Sequence, residues 1–520
     1  MFDILIKGGR VIDGTGNAWF RADVGIQDGR VVAVASGLEG PALRTIDASG
    51  RVVTPGVVDI HSHTDRTIYQ HPKAETAVKQ GITTTGVGHC GGSSAPHRTA
   101  VPGEDWVDFA SFFCDVESKG LGINIAQCIG HGSVRALVMG PEGSGGERPD
   151  PTAEELEQMK TAVAQGMADG CFGLTTGLQY PPGRNAKTGE VVELMKAASP
   201  GLYMTHMREQ TSKIVDGVNE AIEVTEKACC KGVISHLKVA GPEQWGWSSK
   251  ILKQIEDARA REVDIQFDVY PWRYSGIGYL HRNVLPPWVC EGGPQGMLSL
   301  LRNPAARERI RQDIAVGIPG WTNSAKLRGW ANHTIVYSTN PDLYEVNIQE
   351  FADHTGRDPV DAVCDLVIQD EGLTRTCRNS MSDADVKTLL AHPLAIVSTD
   401  STATDGTPKG AVHPRNIGSY PQVFGYYVRE QHVLPLEDAV RKCSSAPAAA
   451  LGIHDRGVIR LGAWADILVF DPQTIAYPGT YADPVHSPVG LDVVIVNGRV
   501  AVENGVHTGA LAGKVLRRQG

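Results

Sequence analysis

The chain has 520 residues, 41% hydrophobic and 21% charged, and a formal net charge of −10 at neutral pH. That length is more than one ordinary domain, the composition is that of a globular protein with a large core, and the acidic balance without a basic run excludes nucleic acid and anionic membranes as expected partners. No stretch of about 18 apolar residues offers a membrane span, the N-terminus lacks a signal-peptide pattern, and the ten scattered cysteines, without a CxxC, suit reduced thiols in the cytoplasm.

From the N-terminus, residues 3–12, 22–27, 30–35 and 45–53 read as short strands, with Asp28-Gly29 and Ser49-Gly50 as tight-turn signals. The same texture returns at 465–470 and 492–503, where Asn497-Gly498 supplies the turn. A small β-sandwich domain built from residues 1–53 and 454–520 is expected. Between these ends the pattern alternates. Apolar, β-branched runs at 57–60, 82–87, 123–129, 172–176, 202–205, 233–235, 263–269 and 394–399 are separated by helix-like stretches such as 152–168, 214–228 and 249–261. Eight such strands with intervening helices predict a (β/α)8 TIM-like barrel over 54–453. One interval, about 277–345, is too long for a connection and contains Pro286-Pro287, Gly292-Gly293 and a basic helical segment at 304–314. An inserted lid subdomain after the seventh strand is expected there.

In such barrels chemistry sits at the C-terminal strand ends. The first run delivers His61-Ser62-His63, whose two imidazoles share a face about 7 Å apart in an extended strand and can hold one divalent metal. The second run ends at Gly88-His89-Cys90-Gly91-Gly92, where His89 and Cys90 point to opposite faces. Later runs end near His131, Tyr180, His206, His236 with Lys238, Asp268 with Tyr270, and Asp400. His131 reads as structural, and Cys114, Cys128, Cys171, Cys364 and Cys443 read as small apolar fillers. Asp400, directly after the last run, reads as a general base rather than a helix cap. His, Cys and Asp gathered at one rim point to a hydrolytic metal site.

Several longer segments resemble a known family. They are PGVVDIHSH from Pro55, GITTTGVGHCGGSSAP from Gly81, GLTTGLQYPPG from Gly173, YMTHMRE from Tyr203, ISHLKVAG from Ile234, STDS from Ser398, HPRNIGSYPQVFGYYVRE from His413 and ADILVFDP from Ala465. Together they resemble, end to end, the N-acyl-D-amino-acid deacylases (D-aminoacylases) of the amidohydrolase superfamily. The resemblance implies a zinc-dependent hydrolase of linear amides. It implies Cys90, His206 and His236 as ligands of a tight zinc, and His61, His63 and Asp400 as a weaker second position. It further implies Asp400 as proton shuttle, Tyr180 as an oxyanion donor, and Lys238, Tyr270, Arg415 and a serine, here Ser275, as the grip on the free carboxylate of a small substrate. A homo-oligomer is left open. The sequence departs from the family's YPYxxGS pattern at Tyr270-Pro271-Trp272-Arg273-Tyr274-Ser275-Gly276, which predicts a reshaped side-chain pocket in which Arg273 either meets an acidic side chain or is solvated. Two other functions compete. A cyclic amidase of the dihydroorotase or hydantoinase type needs a bridging carbamylated lysine, against which Cys90 argues; a non-catalytic scaffold with this fold is expected to have lost ligands, whereas all six are present.

Overall fold

Alternation of apolar and polar residues along the first fifty positions produces strands rather than helices. The computed structural model describes residues 1–97, 106–145, 148–319, 321–406 and 412–518. Strand β1 (Phe2–Val11) pairs antiparallel with β2 (Phe20–Gln27), which pairs with β3 (Arg30–Ala35). The expected single strand at 45–53 is two strands. Gly50, in a left-handed conformation (φ 77°), turns the chain between β4 (Ala42–Asp47) and β5 (Val52–Pro55), both parallel to β1.

The middle of the chain supplies two all-parallel sheets. In one, β6 (Val57–Asp59), β7 (Ile82–Val87) and β8 (Asn124–Gln127) lie side by side. In the other the order runs through β9 (Ile129–Gly130), β10 (Gly173–Gly177), β11 (Leu202–His206), β12 (Lys231–Ile234) and β13 (Ile265–Val269). Nearly every residue of these strands is buried, as parallel strands covered on both faces require, which is why they read as unbroken apolar runs. Outside them lie helices Ala153–Asp169, Ile214–Lys227 and Ser248–Ala260. The first is started by a capping box in which Thr152 and Glu155 satisfy each other's backbone N–H groups.

After β13 the chain leaves this frame. Strands β14 (Tyr274–Tyr279), β15 (His333–Tyr337) and β16 (Arg375–Asn379) form a separate antiparallel sheet, with β16 in the centre. Helices between them enclose a second core around Leu280, Val284, Ile310, Ile335, Val363 and Leu366. This unit extends past the interval 277–345 at both ends. The chain then returns as β17 (Ala395–Val397), parallel to β13. Beyond β17, Asp400 N–H donates to the His61 carbonyl (2.9 Å) and His63 N–H to the Ser401 carbonyl (2.7 Å), bringing the first and last runs together. Strands β18 (Ile467–Phe470), β19 (Leu491–Val496) and β20 (Arg499–Glu503) join β5 and so unite both termini in one nine-stranded sheet. Its core contains Ile4, Ile6, Val24, Val53, Ile467 and Ile495.

The ten cysteines are unpaired; Cys128, Cys171, Cys364 and Cys443 are buried, but Cys114 is exposed and fills nothing. No helix among the described residues is long and apolar enough to cross a membrane.

Candidate metal centre and substrate cavity

Backbone conformation at three strand ends aims the side chains inward. Cys90 (φ 53°), His236 (φ 37°) and Asp400 (φ 51°) all occupy the left-handed region, which costs a non-glycine residue roughly 1–3 kcal/mol. The glycines around Cys90 have steric reasons: a Cβ on Gly88 would stand 2.2 Å from the Cys128 carbonyl oxygen, and one on Gly91 2.6 Å from the Gly177 nitrogen. The strand can therefore bend sharply at His89-Cys90 and press against its neighbours.

The Cys90 Sγ lies 3.5 Å from each of three imidazole nitrogens, His61 Nε2, His206 Nδ1 and His236 Nε2. One donor atom each from His61, Cys90, His236 and Asp400 falls within 4.8 Å of all the others. His63 Nε2 is 3.2 Å from Asp400 Oδ1, and His61 Nε2 is 3.7 Å from the same oxygen. Burial opposes ionisation of Cys90, but the imidazoles of His61, His236 and His206 outweigh it and hold the thiol well below its ordinary value. Burial likewise opposes charge on Asp400, yet Arg415, at 2.6 Å, and His63 hold its carboxyl well below the usual range. A thiolate, imidazoles and a carboxylate at this spacing fit a zinc ion.

Outer partners fix the rings. His61 Nδ1 faces Asp268 (3.3 Å), which also accepts from the Ser398 hydroxyl. His236 Nδ1 accepts from Lys238 Nζ (2.8 Å), and His206 turns Nδ1 inward because its Nε2 is held between Gln179 Oε1 (2.8 Å) and the Gln210 amide nitrogen (2.6 Å). Such contacts set tautomer and orientation. The strand-end pattern did not reveal the two glutamines, since glutamine carries no ligand signature.

Ten of the eleven candidate site residues line one cavity of about 710 Å³; His61 is fully buried behind it. The Tyr180 hydroxyl lies 3.4 Å from His206 Nδ1. Lys238 donates to Gln210 Oε1 (2.9 Å), and burial brings its pKa down to about 8. Lys238 Nζ and the Arg415 guanidinium stand 5.4 and 5.5 Å from the Tyr270 ring, while the buried Tyr270 hydroxyl has no partner among the described residues. Ser275 and Ser380 hydroxyls pair at 2.7 Å. His413 orients its neighbour, accepting from the Arg415 backbone N–H (3.0 Å) through Nδ1 and donating to the Tyr274 carbonyl (3.1 Å) through Nε2.

Other candidates lie apart from the cavity. Trp272 is buried, with its indole N–H on Ser419, and Arg273 is exposed over the Tyr274 ring, so neither lines it. His131 belongs to a buried network with Glu190 and Arg135. His89 stacks on His61 at 4.5 Å, and neither of its ring nitrogens has a partner among the described residues. Three cavity arginines, Arg282, Arg328 and Arg378, come from the inserted unit and were not anticipated.

The sequence matches the family described as Amidohydrolase family over residues 44–215 and 335–502. An N-acyl-D-glutamate deacylase of Alcaligenes xylosoxydans xylosoxydans is 32% identical, over 99% of this chain and 96% of its own length. A solved D-aminoacylase with a binuclear metal center superposes with a TM-score of 0.78 at 30% identity, covering 100% of both chains. The N-acyl-D-glutamate deacylase from Bordetella bronchiseptica, solved with zinc and a phosphonate inhibitor, gives the same TM-score and identity over 99% of both chains.

Proposed function

This chain belongs to the amidohydrolase family, and on that premise we propose that it is a metal-dependent deacylase that hydrolyses N-acyl-D-amino acids to a carboxylate and a free amino acid. The observation that carries the reading is the Cys90 thiolate among three imidazoles, beside an ionised Asp400, on the wall of a cavity that also presents Lys238 and Arg415.

Cys90, His206 and His236 would hold one zinc tightly; His61, His63 and Asp400 would form a weaker second position. When bound, zinc supplies Lewis-acid activation of water and of the amide carbonyl. Asp400, kept ionised by Arg415 and His63, takes a proton from the attacking water and returns it to the departing amine nitrogen. The Tyr180 hydroxyl, beside His206, donates to the oxygen that gains charge on the acyl carbon. Lys238, Tyr270, Arg415 and Ser275 receive the substrate's α-carboxylate. Arg415 can serve two carboxylates at once: one terminal nitrogen is on Asp400, and its Nε is buried without a partner among the described residues.

In this reading the two parallel sheets form one (β/α)8 barrel over 54–453, the terminal strands a β-sandwich from 1–53 and 454–520, and the unit holding the second core a lid beside the barrel mouth. The unpaired cysteines support a reducing, cytoplasmic setting.

The test combines metal analysis of the purified protein with hydrolysis assays on paired D- and L-N-acyl amino acids, each as free acid and as amide. A zinc-containing protein selective for D free acids is expected. A clear L preference, or equal turnover of acids and amides, overturns the substrate assignment; full activity without metal overturns the mechanism.

A further inference from the structure

Tyr180 must donate from a fixed place, yet its own side chain is weakly held. The residue is 46% exposed and lies against His206, with ring centroids 4.5 Å apart and its hydroxyl 3.4 Å from Nδ1. Its position therefore depends on the backbone. Leu178 N–H donates to the His206 carbonyl (3.0 Å) and ties the chain there to the end of β11. Tyr180 lies beyond that tie, in a turn closed by two hydrogen bonds. Tyr180 N–H donates to the Gly177 carbonyl (3.2 Å), and Arg184 N–H donates to the Tyr180 carbonyl (2.7 Å). The turn rests on the first residues of the helix His131–Gly145. A Cβ on Gly132 would stand 3.4 Å from Pro182 Cδ, and one on Gly183 would stand 3.6 Å from His131 Nδ1.

His131 is held from behind. Its Nε2 lies 2.8 Å from Glu190 Oε1, and the other carboxylate oxygen accepts from Arg135. Glu190 belongs to the helix Thr188–Ala197, which follows the turn directly. Imidazole, carboxylate and guanidinium are all buried. Burial opposes charge on Glu190, but His131 and Arg135 outweigh it and hold its carboxyl below the ordinary range. A buried ion network of this kind contributes little net stability, because desolvation offsets the attraction. Here the balance is poorer still, since His131 Nδ1 and Arg135 Nε are buried with no hydrogen-bond partner among the described residues. What the network does supply is a fixed imidazole edge beneath the turn that carries Tyr180.

We propose that His131, locked by Glu190, is a positioning residue that holds the Tyr180 hydroxyl where charge develops on the acyl oxygen. This rests on the deacylase reading above and deepens it. His131 lies outside the cavity lining, so it acts through Tyr180 and not on the substrate. An oxyanion donor contributes only when it is preorganised, and a displacement of about 1 Å can cost about 10²-fold in rate. Glutamine at position 131 can still donate to Glu190, whereas asparagine is too short to reach it.

The experiment uses the metal-loaded full chain and N-acetyl-D-amino acids. In His131→Asn, kcat should fall about ten- to a hundredfold while KM stays within about twofold and zinc content is unchanged. His131→Gln should recover most of that loss. The decisive readout is a cycle with Tyr180→Phe: once the hydroxyl is gone, His131→Asn should cost less than about threefold further. Equal losses in the two backgrounds overturn the proposal, because a merely structural defect adds to the loss of Tyr180. Zinc lost in parallel with turnover also overturns it, by assigning His131 to the metal cradle. So does a His131→Gln variant as impaired as His131→Asn. Should His131→Asn not fold, His131→Phe, which fills the space without the nitrogens, takes its place under the same criteria. Amide hydrogen exchange gives a readout that needs no turnover. Peptides covering 180–186 should exchange about tenfold or more faster in the variant than in the wild type, with 202–206 unchanged. Unchanged exchange in the turn overturns the proposal. A wild type that hydrolyses nothing sinks the deacylase reading alone, and the exchange rates then decide whether His131 holds the turn.

Discussion

The two ends of the cavity are built on opposite rules. At the metal end the inward-facing groups come from the ends of parallel strands, and every imagined ligand ring except His63 has an outer partner: His61 has Asp268, His206 has Gln179 and Gln210, His236 has Lys238. At the other end, fed by the HPR segment and the inserted sheet, donors are left over: Tyr270 OH, Arg415 Nε and Arg378 Nε are buried and unmet among the described residues. Groups that hold a resident ion must be locked before it arrives, because ligand geometry sets both affinity and reactivity. Groups that hold a passing substrate keep open donors, whose desolvation is repaid only while the anion is present. The difference also shows why net charge misleads about partners. A chain of formal charge −10 carries a cavity with seven cations and one carboxylate, and the local field, not the total, meets the ligand.

The sharpest break of this contrast lies at Cys90. Cys90→Ala removes the atom on which three imidazoles converge. Zinc content, about one per chain in the wild type by this ligand count, should fall to background and turnover should vanish with it. Retained zinc in that variant would mean that the cradle is held by other groups. Asp400→Asn comes next: it keeps the shape and loses the base, so kcat should fall about 10²-fold or more while the tight zinc remains. Near-normal turnover would dismiss Asp400 as proton carrier.

Much of the metal end was legible in the sequence, and much of the recognition end was not. Strand runs announce themselves by burial, so the residue after each run can be read without a structure, and His61, Cys90, His206, His236 and Asp400 are found that way. The left-handed turns at Cys90, His236 and Asp400 were invisible; only glycine advertises such conformations, and these positions are not glycine. At the other end, Arg378 follows β13 by more than a hundred residues and reaches the cavity because β16 pairs with β14 in register, Arg378 opposite Ser275. Strand pairing between distant segments of an insert has no local signature. Arg273 shows the converse: adjacency to Tyr270 left it open between a pocket role and solvent, and its side chain is exposed over the Tyr274 ring.

A smaller effect is expected where the two ends meet. Lys238 and Arg415 each touch a cradle group and each face Tyr270, so they belong to both regimes. Lys238→Met and Arg415→Ala should each lower kcat/KM about ten- to a hundredfold, chiefly through KM, as loss of one charge-assisted hydrogen bond to a carboxylate implies. Amide-capped substrates should lose less than free acids in either variant, keeping only the part that comes through Asp400 or His236; an equal loss on capped and free substrates would assign both residues to the cradle alone.

The smallest effect is a titration, and its direction follows from burial. Taking the Lys238 ammonium out of water disfavours its charged form and brings its pKa from 10.5 down to about 8. A divalent cation on the adjacent His236 would push the same way. The charged form is the one that attracts a carboxylate, so it prevails below about pH 8 and is lost as pH rises through that value. Because kcat/KM reports groups of the free enzyme, it should decline on the alkaline side with an apparent pKa at or below about 8. Arginine keeps its charge across this range, so Lys238→Arg should lack that limb even if its overall rate is lower. A profile for free-acid substrates that falls identically in wild type and Lys238→Arg would trace the limb to another group, and would place Lys238 with the ring-orienting partners of the metal end rather than with the open donors that wait for substrate.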